Sequence, residues 1–347
     1  MLGYCCAPRL GMVAGITERV PHMLRRHLAQ LALGLLATPA VQAQGTGEPW
    51  PRRPLRLVVA FPPGGLSDVV GRMVATKLSE GLGQPVVVDN RAGAGGTLGT
   101  QSAVRAAPDG YTLAFAAPST HVSGPLLFPS PGYDGVSDVV PVGAFATIGS
   151  ILVVHPSVGV GSVTELTALA RANPGRINFG SAGAGGSVHL AGELYKLLTQ
   201  VDITHVPYRG GAAMLTDLLA GRVQMAFDNL PQILPHVRSG AMRGLAVTSR
   251  ERSRFIPELP TMIEAGVPNF DITSWFGVTA PIGTSPEIIA RLNAVIRAAS
   301  AEPAVQAQLA TMGAEPLSMT PDQFGTFLHA ERARYAEIIR ISGARAD

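Results

Sequence analysis

The chain has 347 residues, with 27 lysines and arginines against 24 aspartates and glutamates, and its only cysteines are Cys5 and Cys6. The near balance of charge excludes the clustered basic excess that a nucleic-acid surface needs. Cysteines confined to the first six residues leave the rest of the chain without a disulfide, a thiol nucleophile or a Cys-ligated metal, and the length allows two domain-sized lobes.

The N-terminus is predicted to be a secretory leader. From Met23, the expected initiator, come a basic start (Arg25, Arg26), an apolar stretch over Leu28 to Leu36 and the small-residue site Val41-Gln42-Ala43, so residues 1–43 are expected to be cut off after Ala43. The apolar stretch is too short to span a bilayer. Without those residues the balance becomes 23 against 23, formally neutral, and no lipobox cysteine remains for an acyl anchor. The expectation is an exported, soluble, non-lipidated protein.

Next, "PLRLVVAF" (54–61) reads as a buried strand ending at a proline-glycine stop. "PPGGLSD" follows, then a helix whose apolar positions Val69, Val70, Met73, Val74 and Leu78 step by three and four. "PVVVDN" is a second strand, "RAGAGGTLGT" a glycine-rich helix entrance and "DGYTLAFAA" a turn with a third strand. The alternation then restarts: "ILVVHP", a helix over Val163–Ala172, "INFGSAGAGGS", a helix with Leu190, Leu194, Leu197 and Leu198 on one stripe, "ITHVPY", a helix through Met214–Leu219, "QMAFDN" and "GLAVTS". "SWFGVTAP" (274–281) leads away from this second unit. Ser285-Pro286 and Thr320-Pro321-Asp322-Gln323 read as capped starts of C-terminal helices. Strands alternating with helices predict an α/β fold, each lobe a mixed, mostly parallel sheet flanked by helices. The expected lobes are 44–147 plus 276–347, and 148–275.

"GSAGAGGS" (180–187) comes close to a phosphate-binding loop, but Gly186 stands where the lysine belongs and Val188 where a dinucleotide fingerprint needs its third glycine. What remains is a strand, a glycine loop and a helix start, and the same succession occurs at "AFPPGGLSDVV". Unsatisfied N–H groups at such an entrance attract an anion, and glycine leaves the approach open. One such loop is more often only a tight turn; a repeat of it points to a site. Enzyme signatures (G-x-S-x-G, H-E-x-x-H, an EF-hand loop) are absent, although a triad assembled in space is beyond the reach of a sequence.

"VVAFPPGGLSDVVGR", "LGQPVVVDNRAGAGGTLGT", "AAPDGYTLAF", "INFGSAGAGGSVHLAGELYK", "HVPYRGGAAMLTDLLAGRVQMAFDNLPQILPHVRSGAMRGLAVTS" and "PELPTMIEAGVPNFDITSWFGVTAPIGT" run in one order. With them the chain resembles the Bug, or TctC-like, periplasmic solute-binding proteins of tripartite tricarboxylate transporters, from about Pro51 to the C-terminal helix. The resemblance implies a two-lobed, type II (Venus-flytrap) periplasmic binding protein that closes on a small carboxylated solute. It implies that Phe61, Pro63, Gly64, Gly65, Leu66 and Asp68 approach one end of the ligand. Ser181, Ala182, Gly183, Gly185, Gly186 and Ser187 would hold a carboxylate from the other lobe, and Ser119, Thr120, His121, Asp228 and Asn229 would line the cleft. Leu66 and Ala92 depart from the usual motif. His189 is balanced between lining the cleft and capping its helix, Tyr208-Arg209 is read as a surface ion pair before a carboxylate clamp, and Trp275 as hinge or cleft-edge packing.

The expected ligand is a di- or tricarboxylate, an amino acid or an aromatic acid, taken up by a monomer with no cofactor, metal or nucleic acid. The partner is transporter membrane subunits or, alternatively, a sensor kinase. A hydrolase on the same scaffold is the more distant reading.

Overall fold

The computed structural model describes residues 50–128 and 130–344, so the leader expected over 1–43 lies outside the described residues. The first α/β unit runs β1 (Leu55–Val59), α1 (Leu66–Leu82), β2 (Val86–Asn90), α2 (Thr97–Val104) and β3 (Thr112–Ala116). A π-helical turn (Ser119–Ser123), the short α3 (Gly124–Leu127) and β4 (Val139–Ile148) follow. The second unit comprises β5 (Ser150–Val154), α4 (Val163–Ala172), β6 (Asn178–Ser181), α5 (Ser187–Thr199), β7 (Thr204–Pro207), α6 (Gly211–Leu219), β8 (Met225–Asn229), α7 (Leu230–Arg238) and β9 (Arg243–Val247). The chain returns through β10 (Ser274–Pro281) to α8 (Pro286–Ala301), α9 (Pro303–Thr311), β11 (Ala314–Pro316) and α10 (Pro321–Ser342).

Two mixed sheets result, ordered β11-β4-β10-β3-β1-β2 and β7-β6-β8-β5-β9. Parallel pairing between strands is confined to one trio in each, β2-β1-β3 and β7-β6-β8; every other strand pair is antiparallel, and a single parallel bridge joins Val247 to Thr261. Each trio is built alike. Its middle strand comes first, the chain moves out to one neighbour, then crosses back to the other side. Where strand order reverses this way, a crevice opens at the carboxyl ends of the strands, and open α/β sheets bind ligands there.

Strand β4, which crosses from the first sheet directly to the second through Gly149, was not legible in the sequence. Its "VVPVGAFATI" carries a proline and a glycine that read as breakers. The sheet tolerates Pro141 because β11 pairs only with Ala146 to Ile148, so beyond that point one side of β4 carries no strand to need the missing N–H.

Three large apolar clusters hold the described residues together. Leu57, Val59, Phe115, Phe145, Phe276 and Leu292 pack around the first sheet. On one face of the second sheet, Phe179, Leu190, Tyr195 and Phe227 pack with Trp275, Phe324 and Tyr335, in a cluster that also takes in Ala116, Val122 and Ala144 of the first unit, so α10 bridges the two sheets. Met214, Leu218, Ala226 and Ile233 fill the opposite face. Each such side chain contributes about 1.5–3 kcal/mol by leaving water. Trp275 is wholly buried; its Nε1 donates to Glu331 Oε2 on α10 at 3.0 Å and Phe324 meets its ring edge-on, which is core packing. The expected capping box closes α10: Thr320 Oγ1 accepts from Gln323 N, and Gln323 Oε1 accepts from Thr320 N.

Candidate functional site

The two glycine entrances occupy equivalent places, after the first strand of each trio. Gly65 caps α1 with φ −79° and ψ 168°; Gly186 caps α5 with φ −70° and ψ 162°. Neither helix start has a side-chain cap, so the first-turn N–H groups of both are left to solvent or a ligand.

The first entrance is pinned from beneath. Asp68, buried in the first turn of α1, accepts from Gly64 N, Arg72 Nε and Asn90 Nδ2, each at 2.9 Å. Asn90 Nδ2 also donates to the Phe61 carbonyl at 3.1 Å. Burial alone would raise the carboxyl's pKa, but the bonds from Arg72, Gly64 and Asn90 outweigh it and hold the group at about 2. Asp68 therefore shapes the loop and has little left for a solute. Pro63, Gly64 and Gly65 are exposed, while Phe61 and Leu66 turn partly inward against the first core cluster. The leucine that departs from the motif thus packs on the core.

At the second entrance, Ser181 is fully buried at the end of β6, its Oγ bonded to Gly183 and, at 2.7 Å, to His205 Nε2. His189 caps locally: its Nδ1 accepts from Gly185 N at 2.9 Å. Burial, with the charges of His205 and Lys196 adding to it, pushes the His189 pKa down to about 3, so the ring is neutral. His189 and His205 stack with centroids 3.9 Å apart behind the loop. Ala182 is exposed, Gly183, Gly186 and Ser187 are half-buried, and Gly185 is buried. Gly185 sits at φ +84°, where an added Cβ would lie 2.9 Å from Leu127 Cδ1 of α3. The Gly185 carbonyl accepts from Ser123 Oγ at 2.5 Å, a direct contact between the two units.

Two expected lining residues belong to the core. Thr120 and His121 are buried in the π-helical turn, and both His121 ring nitrogens are engaged, Nδ1 with Thr120 Oγ1 and Nε2 with Thr279 Oγ1, each at 2.9 Å. Burial lowers the His121 pKa to about 3. The turn winds its histidine inward onto β10, leaving no ring atom for a solute; Ser119, at its start, is half-buried.

Small polar groups gather where the chain passes between the sheets; Ser187 and Asn229 were expected there, whereas sequence reasoning missed Ser150 and Ser274. Ser187 Oγ meets Ser274 Oγ at 2.5 Å, and Asn229 Oδ1 accepts from Ser274 Oγ at 3.2 Å and Ser150 Oγ at 3.3 Å. Serines at strand ends carry no sequence signal. Only the sheet topology gathers them. Beside them Asp228 is buried, with Oδ1 accepting from Asn229 N at 2.8 Å and Oδ2 without a partner. Burial pushes its pKa up to about 7. Tyr208 donates to Asp217 at 2.8 Å. Among the described residues no group of three or more His, Cys, Asp or Glu could hold a metal, and no helix is long and apolar enough to cross a membrane.

A family model described as tripartite tricarboxylate transporter family receptor matches residues 70–343. Protein BugT of Bordetella pertussis is similar, 40% identical over 323 residues that cover 93% of this chain and 99% of that protein. Among solved structures, R. palustris Rpa4515 with adipate matches at a TM-score of 0.78 and 38% identity, over 86% of this chain and 100% of that one. MatC from Rhodopseudomonas palustris with bound malate matches at 0.74 and 30%, over 84% and 100%.

Proposed function

The chain belongs to the tripartite tricarboxylate transporter receptor family, and from that premise we propose that it captures a small organic acid between the carboxyl-end edges of its two sheets. The observation that carries this reading is the pair of uncapped glycine entrances, Gly65 and Gly186, at equivalent points of two like-built trios. Each offers main-chain N–H groups to a carboxylate, and a hydrogen bond to a charged group contributes roughly 1.5–3 kcal/mol. Adipate and malate in relatives 38% and 30% identical favour a dicarboxylate.

The solute is bound and released unchanged, in the periplasm, after removal of the leader. The two sheets close on it as lobes, 44–147 plus 276–347 against 148–275, and the closed form is what the membrane subunits of a transporter recognise. Only a ligand with contacts to both lobes shifts the population toward that form.

The test is thermal melting of the chain from Gln44 onward against malate, adipate, citrate, amino acids and aromatic acids, with nucleotides as controls. A specific ligand at 100 times its Kd adds about 2.7 kcal/mol, read as a raised midpoint, and mass spectrometry should return the acid intact. Flat curves for every acid with protein refolded free of co-purified ligand, or turnover of the acid, would overturn the proposal.

A further inference from the structure

Two buried side-chain atoms without a partner, Asp228 Oδ2 and Gln232 Nε2, lie four residues apart where β8 passes into α7. Strand alternation decides which way the aspartate points. Met225 and Phe227 belong to the cluster on the α5 face, and Ala226 to the cluster with Met214 and Leu218 of α6. Asp228, two residues beyond Ala226, therefore faces α6. Because α6 follows β7, and β7, β6 and β8 are parallel, the N-terminus of α6 stands at the same sheet edge as Asp228.

That helix start is open as well. Gly210 caps it with φ 107° and no side-chain bond. Gln232 lies across it: a Cβ added to Gly211 would come within 2.5 Å of Gln232 Oε1 and 2.7 Å of Nε2, so the amide needs the glycine's missing side chain. No charge balances the aspartate from the elements around it. In α6 the one titratable residue, Asp217, is bonded by Tyr208 and Arg222. His236 and Arg238 occupy the far turn of α7, Arg209 is exposed in the loop before α6, and His189 and His205 stack with Phe179 on the opposite face. β5 and β6 bring no ionisable side chain.

A carboxyl in its acid form, a primary amide and free helix N–H groups are all donors, and their complement is a group that only accepts. We infer that Asp228, Gln232 and the N-terminus of α6 form a second carboxylate-binding subsite, distinct from the glycine entrance at 182–187, that takes one end of a dicarboxylate. The inference rests on the organic-acid reading above. Asp228 acts in its acid form, donating its proton to the ligand oxygen, so binding stabilises that form and draws a proton from solution.

The experiment is calorimetry of the wild-type chain, Gln232→Leu and Asp228→Asn with saturated C4–C8 dicarboxylates and malate, alongside monocarboxylates of equal length. Gln232→Leu should lose about tenfold more affinity for dicarboxylates than for monocarboxylates. In buffers of different ionisation enthalpy at pH 7.5, the wild type should take up protons on binding a dicarboxylate and Asp228→Asn should not. Equal losses for both acid classes, no loss, or unchanged proton uptake in Asp228→Asn would overturn the subsite and leave the receptor reading standing. Binding of none of these acids by the wild type would overturn both.

Discussion

The carboxyl edges of the two parallel trios share strand order, crossover and an uncapped glycine at the first helix start, yet they treat an aspartate in opposite ways. At the first edge Asp68 is met by Gly64, Arg72 and Asn90 and stays ionised, with a pKa of about 2. At the second, Asp228 has one bond from its neighbour's N–H and is pushed to about 7. Burial is common to both. What differs is the supply of donors, and that decides whether a buried carboxyl is a fixed anion that shapes a loop or a group that titrates near neutrality with hydrogen-bonding capacity to spare.

The change that should act most strongly is Gly185→Val at the second entrance. A branched side chain at φ +84°, aimed at Leu127, is strained by about 1–3 kcal/mol and blocks the amides. Ligand-induced melting shifts should vanish while circular dichroism still reports a folded chain; an undiminished shift would remove this loop from the site.

Asp68→Ala tests the first edge. It strips the acceptor from three donors, one of them a half-exposed arginine, and should cost roughly 2–3 kcal/mol of stability in urea at pH 7. The sign with pH follows from the lowered pKa. The wild-type advantage is full above the unfolded value near 3.8 and disappears as pH falls toward 2. A difference between the two proteins that persists at pH 2 would contradict the ionic pin.

Asp228→Asn should give the smaller, opposite effect. With its folded pKa raised from 3.8 to about 7, the native state holds a proton that the unfolded chain has released, so stability is lost as pH rises through that window. The amide removes the penalty and should stabilise the protein on the order of 2 kcal/mol at pH 8, with no gain near pH 3. A variant equally or less stable at pH 8 would mean that Asp228 ionises freely, and the contrast between the edges would collapse.

The glycine entrances and the strand–helix alternation were legible because each is a property of near neighbours in the chain. "PPGGLSD" and "GAGGS" stop a strand and start a helix wherever they stand, and the Thr320 to Gln323 capping box closes within one turn. Strand β4 escaped notice because its Pro141 is tolerated only where the sheet leaves one side unpaired.

The sequence by itself determined the alternation, the helix starts and the family they announce, since backbone preference and apolar periodicity act over a few residues. Tertiary structure alone decided the chemistry at the edges. His121 became a core histidine through Thr279, 158 residues away; Asp68, bonded locally by Arg72 and Gly64, gained its third donor from Asn90, 22 residues away; and Gly185 met the other unit through Ser123, 62 residues away. Burial raised the Asp228 pKa to about 7 because no comparable partner reached it. Charge state depends on which groups share a buried space, and only the folded chain brings them together.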